Sequence, residues 1–349
     1  MSSDMLDGRS KDILYAVVES YISTPEPVGS RFITKKYPFG FSSATIRNIM
    51  ADLEDLGFLI QPHTSAGRVP TDKGYRFFVD ALLHKERDSG QQEVPREFAK
   101  QFTHKLERIK TNMNAMFSEV TNTLSMMSNY VGVAMPPKSE KSTLKRLDLM
   151  KYKGSSVVAI LLTDEGIIKN RVLNVHADLA QEDLTRIAEY LNAEYAGSTL
   201  DEIKSSLIKR MKHEKALWDK LIAKAMEICE QALSFGEDDI FVSNLYDVMD
   251  LPDFSNIARI KELSRAIKDK HMIVSLLDDF IEADGVNVVI GDENPIEDLR
   301  RLSVVSSTYK EGNRPMGVIA LIGPTRMDYA KAIFMVDAVA KCVSRTFES

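Results

Sequence analysis

The sequence predicts an α+β protein with more than one domain. In the first quarter of the chain, apolar residues recur at steps of three and four, which is typical of amphipathic helices. Two later blocks, about 147–175 and 285–322, alternate with a period of two and are rich in β-branched residues, which is typical of strands. The block between them is mainly helical. Because one sheet can combine distant segments, we predict a single sheet domain interrupted by a helical insertion.

Length and composition indicate a globular protein that does not bind nucleic acid by bulk charge. The chain has 349 residues, with 44% hydrophobic residues, 28% charged residues and a net charge of −6. Cys229 and Cys342 stand far apart and give neither a disulfide framework nor a zinc-binding spacing. The polar N-terminus has no signal-peptide pattern, and no apolar run reaches transmembrane length. We therefore expect a reduced, cytoplasmic protein that has no membrane partner.

Two helices are predicted before residue 40. The first, Arg9–Ser23, carries one apolar stripe and ends at Thr24–Pro27, because proline cannot continue the helical hydrogen-bond ladder. The second is the short segment Arg31–Lys36, which carries a basic pair at its end. A turn, Tyr37–Gly40, separates it from the stretch that follows.

The stretch Phe41–Thr71 is predicted to form a third helix and a tight hairpin. Ser42 or Ser43 can cap the helix start, and Gly57 can end the helix in a left-handed conformation. The apolar residues follow the spacing of one buried face, namely Ile46, Ile49, Met50, Leu53 and Leu56.

The opposite face of this third helix has residues that suit contact with DNA bases. Arg47 and Asn48 are of the types that read guanine and adenine edges in the major groove, and Ala44 and Ala51 allow close approach. The hairpin that follows ends in Gly67-Arg68, which gives an arginine on a turn. A helix, a helix, a helix and then a hairpin is the order of a winged helix.

The local charge supports a DNA-binding surface on this acidic chain. From Val28 to Arg76 there are seven basic and four acidic residues, a surplus of three positive charges. Such a patch suits a sequence-selective binder whose non-specific affinity is modest. The predicted DNA-binding residues are Ser43, Thr45, Arg47, Asn48, Arg68, Lys35 and Lys36.

These residues have different expected roles. Arg47 and Asn48 are expected to contact bases or phosphates, and Arg68 a minor groove or a phosphate. Ser43 and Thr45 suit capping and phosphate binding through backbone N–H groups as well as they suit base reading. Lys35 and Lys36 are weaker candidates for phosphate contact.

The remaining chain is read as helices and strands around a sheet. A further helix runs from Thr71 to Leu83, and Phe98–Val131 is predicted as one long helix with a methionine-bearing stripe. That long helix fits either packing along a sheet or a dimeric coiled coil.

Gly323-Pro324-Thr325-Arg326 opens the last helix and suits either an anion site or, with better support, a cap made by Thr325 with Arg326 packing across the sheet.

The sequence contains no recognisable catalytic or metal-binding set. It lacks a phosphate-binding glycine loop, a nucleophile elbow and a metalloprotease helix, and its histidines are isolated. We therefore expect neither an enzyme nor a bound cofactor or metal.

Short motifs at both ends of the chain have a distinctive combination of residue types. The motifs are Pro27–Ser30, Ser43–Asn48 with Met50–Gly57, His63–Arg68, Pro70–Arg76 and Gly323–Tyr329. Together they resemble the HrcA family of heat-inducible transcription repressors, and the resemblance spans nearly the whole chain.

The resemblance implies a division into domains and a mode of regulation. Residues 1–85 would be a winged-helix DNA-binding domain, 86–97 a linker, 98–179 with 283–349 a GAF-like domain, and 180–282 an inserted dimerising domain. It also implies repression of chaperone operons by a homodimer at an inverted-repeat operator in double-stranded DNA. Heat and the chaperonin would modulate its activity.

Two other functions compete with this interpretation. One is a winged-helix regulator whose GAF-like domain binds a small molecule, although no cluster of residues selects a ligand. The other is an enzyme that uses the winged helix as a protein-docking module.

Overall fold

The computed structural model describes residues 6–89, 96–110, 112–137, 143–153, 156–164, 168–174, 179–200, 202–203, 206, 240–243, 248, 251–254, 257–283 and 285–348. Within these ranges the chain combines helices with antiparallel sheets, so the predicted α+β class is confirmed. Much of the predicted helical block between the two sets of strands, including Cys229, lies outside the described residues.

The N-terminal unit, residues 8–89, has the predicted order of elements. Asp7 caps the first helix by accepting a hydrogen bond from the Ser10 amide, and Ser42 caps the third by accepting one from the Thr45 amide. Gly57 follows the third helix with a φ of +77°, as expected for a left-handed C-terminal residue. The elements are α1 (Gly8–Ser23), α2 (Ser30–Lys36), α3 (Ser43–Asp55), β1 (Leu59–Ile60), β2 (Val69–Pro70) and α4 (Asp72–Ser89).

The base of the hairpin is joined to the segment between α1 and α2. The backbone amides and carbonyls of Val28 and Arg68 exchange hydrogen bonds of 2.9 and 2.8 Å, which forms an isolated antiparallel bridge. A side chain at Gly67 would collide with the Val28 carbonyl, so the close approach requires glycine there. The hairpin is thereby fixed against the helices and not only paired with itself.

Two predicted boundaries in the next part of the chain are wrong. The linker is predicted at 86–97, but α4 continues to Ser89 and α5 (Arg96–Ile109) begins one residue before the predicted linker ends. The single helix Phe98–Val131 is instead α5 followed by α6 (Met113–Ser128). Asn112 caps α6 by accepting a hydrogen bond from the Ala115 amide, so its side chain starts a new helix where the apolar spacing suggested continuity.

A central sheet forms the middle of the C-terminal part. Its elements are β3 (Val131–Met135), β7 (Phe241–Val242), α8 (Ile257–Lys268), α9 (Lys270–Asp278), β8 (Val286–Ile290), β9 (Leu302–Glu311), β10 (Arg314–Pro324) and α10 (Tyr329–Glu348), with short 3₁₀ turns at Pro252–Phe254, Gly291–Glu293 and Glu297–Leu299. Among the described residues the strand order is β7-β3-β10-β9-β8, and every neighbouring pair is antiparallel. One face packs on α6 and α10, against which α5 lies, and the other packs on α8 and α9.

Alternation along the strands divides the core into two layers. On β10, Ile319 and Leu321 belong to the layer shared with α10, whereas Val318, Ala320 and Ile322 belong to the layer shared with α8 and α9. The N-terminal unit contributes to the first layer, because its apolar residues are continuous with the α10 face of the central sheet. The two parts of the chain thus share one core.

A second sheet stands apart from the central one. It contains β4 (Leu144–Lys151), β5 (Ser156–Thr163) and β6 (Ile168–Asn174), paired in that order and covered on one face by α7 (Gln181–Tyr195). Its buried residues, among them Leu147, Leu161 and Leu184, form a separate apolar cluster. The prediction that both blocks of strands build one sheet is therefore wrong.

The sheet pairing also favours a different placement of the insertion. The sequence interpretation places the insertion at 180–282, but β4–β6 lie in their own unit and α8 and α9 pack on the central sheet. β3 and β7 are neighbours, with Val133 opposite Val242 and Ala134 opposite Phe241. We therefore propose that the inserted unit leaves the central sheet after β3 and returns at β7.

In the described part of the chain, no helix is both long enough and apolar enough to cross a membrane.

The separate core of the second sheet generates a stability prediction. Leu161→Ala is expected to cost about 2–5 kcal/mol of unfolding free energy, because it removes a fully buried side chain from that cluster. Calorimetry should show a lower midpoint for one unfolding transition, with the transition of the central sheet and N-terminal unit unchanged. Leu56→Ala, the same truncation at a side chain that is 43% exposed, is the control and should cost less than about 0.5 kcal/mol. An equal shift of every transition would contradict separate cores.

Candidate nucleic-acid interface

Helix α3 presents a polar face to solvent and an apolar face to the core. Ile46, Met50 and Leu53 are buried against the other helices of the N-terminal unit. Arg47 and Asn48 are exposed on the opposite side. The predicted apolar face is confirmed at Ile46, Met50 and Leu53 but is wrong at Leu56, which is 43% exposed. The guanidinium and carboxamide groups lie on the solvent side of the helix.

The start of α3 is held by hydroxyl groups. The Ser42 hydroxyl accepts from the Thr45 amide at 3.1 Å and lies 2.9 Å from the Thr45 hydroxyl. Ser43 is half-buried, and its hydroxyl lies 3.1 Å from that of Ser30 at the start of α2. Ser43 therefore joins α2 to α3, whereas Thr45 is exposed beside Arg47.

The end of α2 adds exposed positive charge next to this face. Lys35 and Lys36 are both exposed. The Lys36 ammonium lies 5.5 Å from the ring centre of Phe32 and 5.2 Å from that of Tyr37, and it reaches the Ser20 hydroxyl at 3.5 Å. Lys36 is thus partly engaged within the N-terminal unit.

Arg68 lies at the base of the hairpin and not at its tip. Its Nη2 is 2.7 Å from Glu54 Oε2, and its side chain is only 17% exposed. Its Nε is buried and has no hydrogen-bond partner among the described atoms. The predicted location of this arginine on an exposed turn is wrong, because α3 supplies a carboxylate that draws it onto the helix.

The exposed tip of the hairpin consists of other residues. His63, Thr64 and Ser65 are all exposed. Gln61 holds them in place, because its side-chain amide donates to the carbonyls of Thr64 and Ala66 at 3.0 and 2.9 Å. Sequence spacing alone does not single out these residues, since their exposure depends on Gln61 spanning the turn.

A polar cavity of about 340 Å³ lies beside the N-terminal unit and away from α3. Its lining includes Asp72 from α4, Asp253, and Arg300 and Thr325 near the ends of the central sheet. Within the described residues, no group of three or more His, Cys, Asp or Glu side chains could hold a metal ion.

Comparison with known proteins identifies relatives over nearly the full length. The family model described as the HrcA protein C-terminal domain matches residues 114–333. The heat-inducible transcription repressor HrcA of Thermodesulfovibrio yellowstonii is 49% identical over 346 residues, which are 99% of each chain. The repressor of the same name from Geobacter sulfurreducens is 39% identical over 340 residues, covering 97% of this chain and 98% of that one.

A solved structure shares the fold. It is the 2.2 Å crystal structure of a hypothetical protein, which aligns with a TM-score of 0.67 at 23% identity and covers 98% of this chain and 99% of its own. The architecture described above is therefore found in an experimentally determined chain.

The Arg68–Glu54 pair generates a prediction that separates a structural from a DNA-contacting arginine. Arg68→Ala should lower the unfolding free energy of the full chain by about 1–2 kcal/mol, because it leaves Glu54 without its partner in a partly buried setting. Thermal unfolding measures this loss. His63→Ala, at the exposed tip, is the control and should leave the midpoint unchanged. Unchanged stability combined with weaker DNA binding in Arg68→Ala would instead favour direct contact.

Proposed function

The chain belongs to the HrcA family of heat-inducible transcription repressors, and we propose that it represses transcription by binding double-stranded operator DNA through its N-terminal unit. The unit acts as a winged helix, in which α3 enters the major groove and the hairpin is the wing. The protein works in the cytoplasm as a regulator and not as an enzyme.

The observation that carries the proposal is the exposed polar face of α3. Arg47 and Asn48 stand on a helix whose other side is locked in the core, so they reach a groove without reorganisation of the backbone. A well-aligned bidentate contact with a base contributes about 1–3 kcal/mol of discrimination. Thr45, Lys35 and Lys36 are exposed next to this face and suit phosphate contacts, which position the helix. Ser43 supports the interface indirectly, through Ser30.

The structure of the hairpin shifts the proposed wing contacts. Arg68 contributes by fixing the base of the wing against Glu54, and His63, Thr64 and Ser65 are the residues that meet the DNA backbone. This retains a role for the sequence-predicted arginine but moves the contact to the tip.

A homodimer on an inverted repeat follows from the small local charge. The segment Val28–Arg76 has a surplus of only three positive charges on a chain with net charge −6, so a single copy has little electrostatic affinity for DNA. Two copies related by a two-fold axis read two half-sites and add their binding energies.

The outer face of the second sheet is the proposed dimer contact. Met150 lies opposite Val158, and Val158 lies opposite Val172, so the three form one apolar row across the strands. Met150 and Val172 are exposed in the single chain, the latter by 56%. This face belongs to the proposed inserted unit, which keeps the expectation that the insertion forms the dimer. It lies before residues 180–282, where the sequence analysis placed the insertion.

Heat and the chaperonin act on this repressor through its folded population. The operator-binding dimer is in equilibrium with inactive forms, so a modest loss of stability lowers the active fraction. The chaperonin restores the active form, and stress that occupies the chaperonin relieves repression. Operator occupancy by the purified protein tests this directly. Occupancy that is independent of temperature and of added chaperonin would reject the regulatory part of the proposal.

A ligand-sensing regulator is the alternative, in which the central-sheet unit acts as a GAF-like sensor. The cavity beside Thr325 is the observation that favours it, because it lies between that unit and α4. Thermal-shift screening separates the two functions, since a specific ligand raises the unfolding temperature by mass action.

Selection of bound sequences from a random DNA pool is the central experiment. The proposed function predicts a palindromic consensus and a dimer by light scattering. Recovery of no preferred sequence by a folded dimer would refute it.

Base reading by Arg47 generates a prediction on binding to the selected DNA sequence. Arg47→Ala should weaken binding by about 1–3 kcal/mol, roughly 5- to 150-fold, and relax the preference at one base pair of each half-site. Fluorescence anisotropy at fixed salt measures the loss. Arg186→Ala, which removes an exposed arginine from α7, is the matched control and should bind as the wild type does. Equal affinities for Arg47→Ala and wild type would remove Arg47 from the reading face.

The proposed dimer contact generates a prediction on self-association. Val172→Asp should weaken self-association by about tenfold or more, because a carboxylate would be buried in the apolar row. Sedimentation equilibrium measures the dissociation constant. Met126→Asp, at a side chain that is 75% exposed at the end of α6, introduces the same charge elsewhere and should leave the dimer intact. An unchanged dimer in Val172→Asp would place the contact on another surface.

A further inference from the structure

Two sequence motifs that the DNA interface leaves unused face each other in the structure. Pro70–Arg76 begins α4 of the N-terminal unit, and Gly323–Tyr329 joins β10 to α10. The rings of Tyr75 and Tyr329 pack with centres 5.7 Å apart, and both side chains are buried. The motifs thus form the boundary between the N-terminal unit and the central-sheet unit.

Arg326 makes four hydrogen bonds at this boundary. Its Nε and Nη2 donate to Asp253 Oδ1 and Oδ2 at 3.2 and 2.6 Å. Its Nη1 donates to the backbone carbonyls of Tyr21 and Ile22 at 3.2 and 2.6 Å. The side chain is only 9% exposed. The better-supported interpretation of this motif is wrong, because the guanidinium of Arg326 binds Asp253 and α1 and does not pack across the sheet. Asp328, whose side chain accepts from the Lys331 amide, caps α10 in place of Thr325.

The two carbonyls are those that the last turn of α1 leaves without intrahelical partners. The final carbonyls of a helix carry a partial negative charge, and a cation at that end is stabilising. Arg326 therefore caps α1 from another part of the chain, more than 300 residues away in sequence.

Arg326 joins three parts of the protein at one point. It stands between β10 and α10, Asp253 follows β7 on the return from the inserted unit, and Tyr21 and Ile22 end α1. Because α1 packs on α3, the direction of α1 sets the direction of the proposed reading helix.

A second set of contacts supports the same boundary. Arg76 Nη2 donates to the Val288 carbonyl at 2.6 Å, and its Nε donates to Glu293 Oε1 at 2.7 Å. Asp72 accepts from the Asp292 amide at 2.9 Å. These contacts hold α4 to β8, so α1 and α4 are each tied to the central-sheet unit by charged side chains. Separating them would leave partly buried charges unpaired, which is costly.

We propose that Arg326 is a positioning residue for operator recognition, which couples the central-sheet unit, from which the inserted dimerising unit departs, to α1 and so restricts the spacing between the two reading helices. This rests on the proposed function. Arg326 touches no DNA, and its effect appears in which half-site spacing is accepted.

A spacing series on the selected palindrome tests the proposal. The distance between half-sites is changed in steps of one base pair over ~5 base pairs, about half a helical turn. Wild type should lose about tenfold or more in affinity away from its best spacing, because both wings must engage at once. Arg326→Gln should bind the best spacing more weakly and show a spacing profile flattened to within about threefold, while its affinity for a single half-site stays that of wild type.

Matched variants separate this role from a general loss of stability. Arg186→Gln makes the same substitution at an exposed arginine that is paired with Asp183 of the same helix and should reproduce the wild-type profile. Asp253→Asn releases the same guanidinium from its other side and should flatten the profile as Arg326→Gln does; it also serves if Arg326→Gln does not fold. A wild-type profile in folded Arg326→Gln or Asp253→Asn would overturn the proposal. Tighter binding than wild type at every spacing would also overturn it.

A measurement without DNA distinguishes failure of this proposal from failure of the proposed function. Spin labels at His63→Cys on the wing and Asn313→Cys between β9 and β10 report the distance between the two units within one chain. Cys229 is replaced by Ser so that it takes no label, and excess unlabelled chain is added so that labels on two subunits of one dimer do not contribute. Wild type should give one narrow distribution and Arg326→Gln a broad one. Equal widths refute the coupling even if the operator is bound. A narrow wild-type distribution without sequence-selective DNA binding refutes the proposed function alone.

Discussion

The N-terminal unit and the central sheet share one apolar core, and the placement of α3 depends on that continuity. Tyr75 of α4 packs on Tyr329 of α10, and both are buried in the layer that also contains the inner residues of α1 and α3. Apolar burial is non-directional, so the shared core alone would allow the unit to slide or rotate. The charged contacts of Arg76 and Arg326 fix the orientation of the unit on the sheet. A guanidinium is a rigid planar group, and its N–H donors reach partners only in a narrow range of geometries.

Local patterns predicted the candidate site better than its surroundings. The buried and exposed faces of α3, the Ser42 cap and the Gly57 end follow from residues within one or two helical turns. The predicted place of Arg68 is wrong because the hairpin brings this arginine back to Glu54 on α3, a contact between residues that are not close in sequence. The exposed tip depends on Gln61 bridging two carbonyls, a side-chain contact that no spacing rule encodes.

The predicted strands were found, but their partners were not predictable. A period of two indicates that a segment has two faces and contains no information on which strand lies next to it. The period of two therefore gave no sign that residues 144–174 form a sheet of their own. The break between α5 and α6 was also not predictable from periodicity. The apolar steps of three and four continue through Asn112, whose side chain nevertheless caps a new helix.

The shared core also bears on how a heat-responsive repressor could lose DNA. The second sheet has its own apolar cluster, so it can loosen without exposing the core beneath α3. Asp253 lies on the return from that inserted unit, and Arg326 connects it to the end of α1. Under the proposed function, loosening of the inserted unit would free the dimer contact, while Arg326 and Asp253 of the central-sheet unit would still support α1. Each half of the operator contact would then lose its fixed partner before the reading helix itself unfolds.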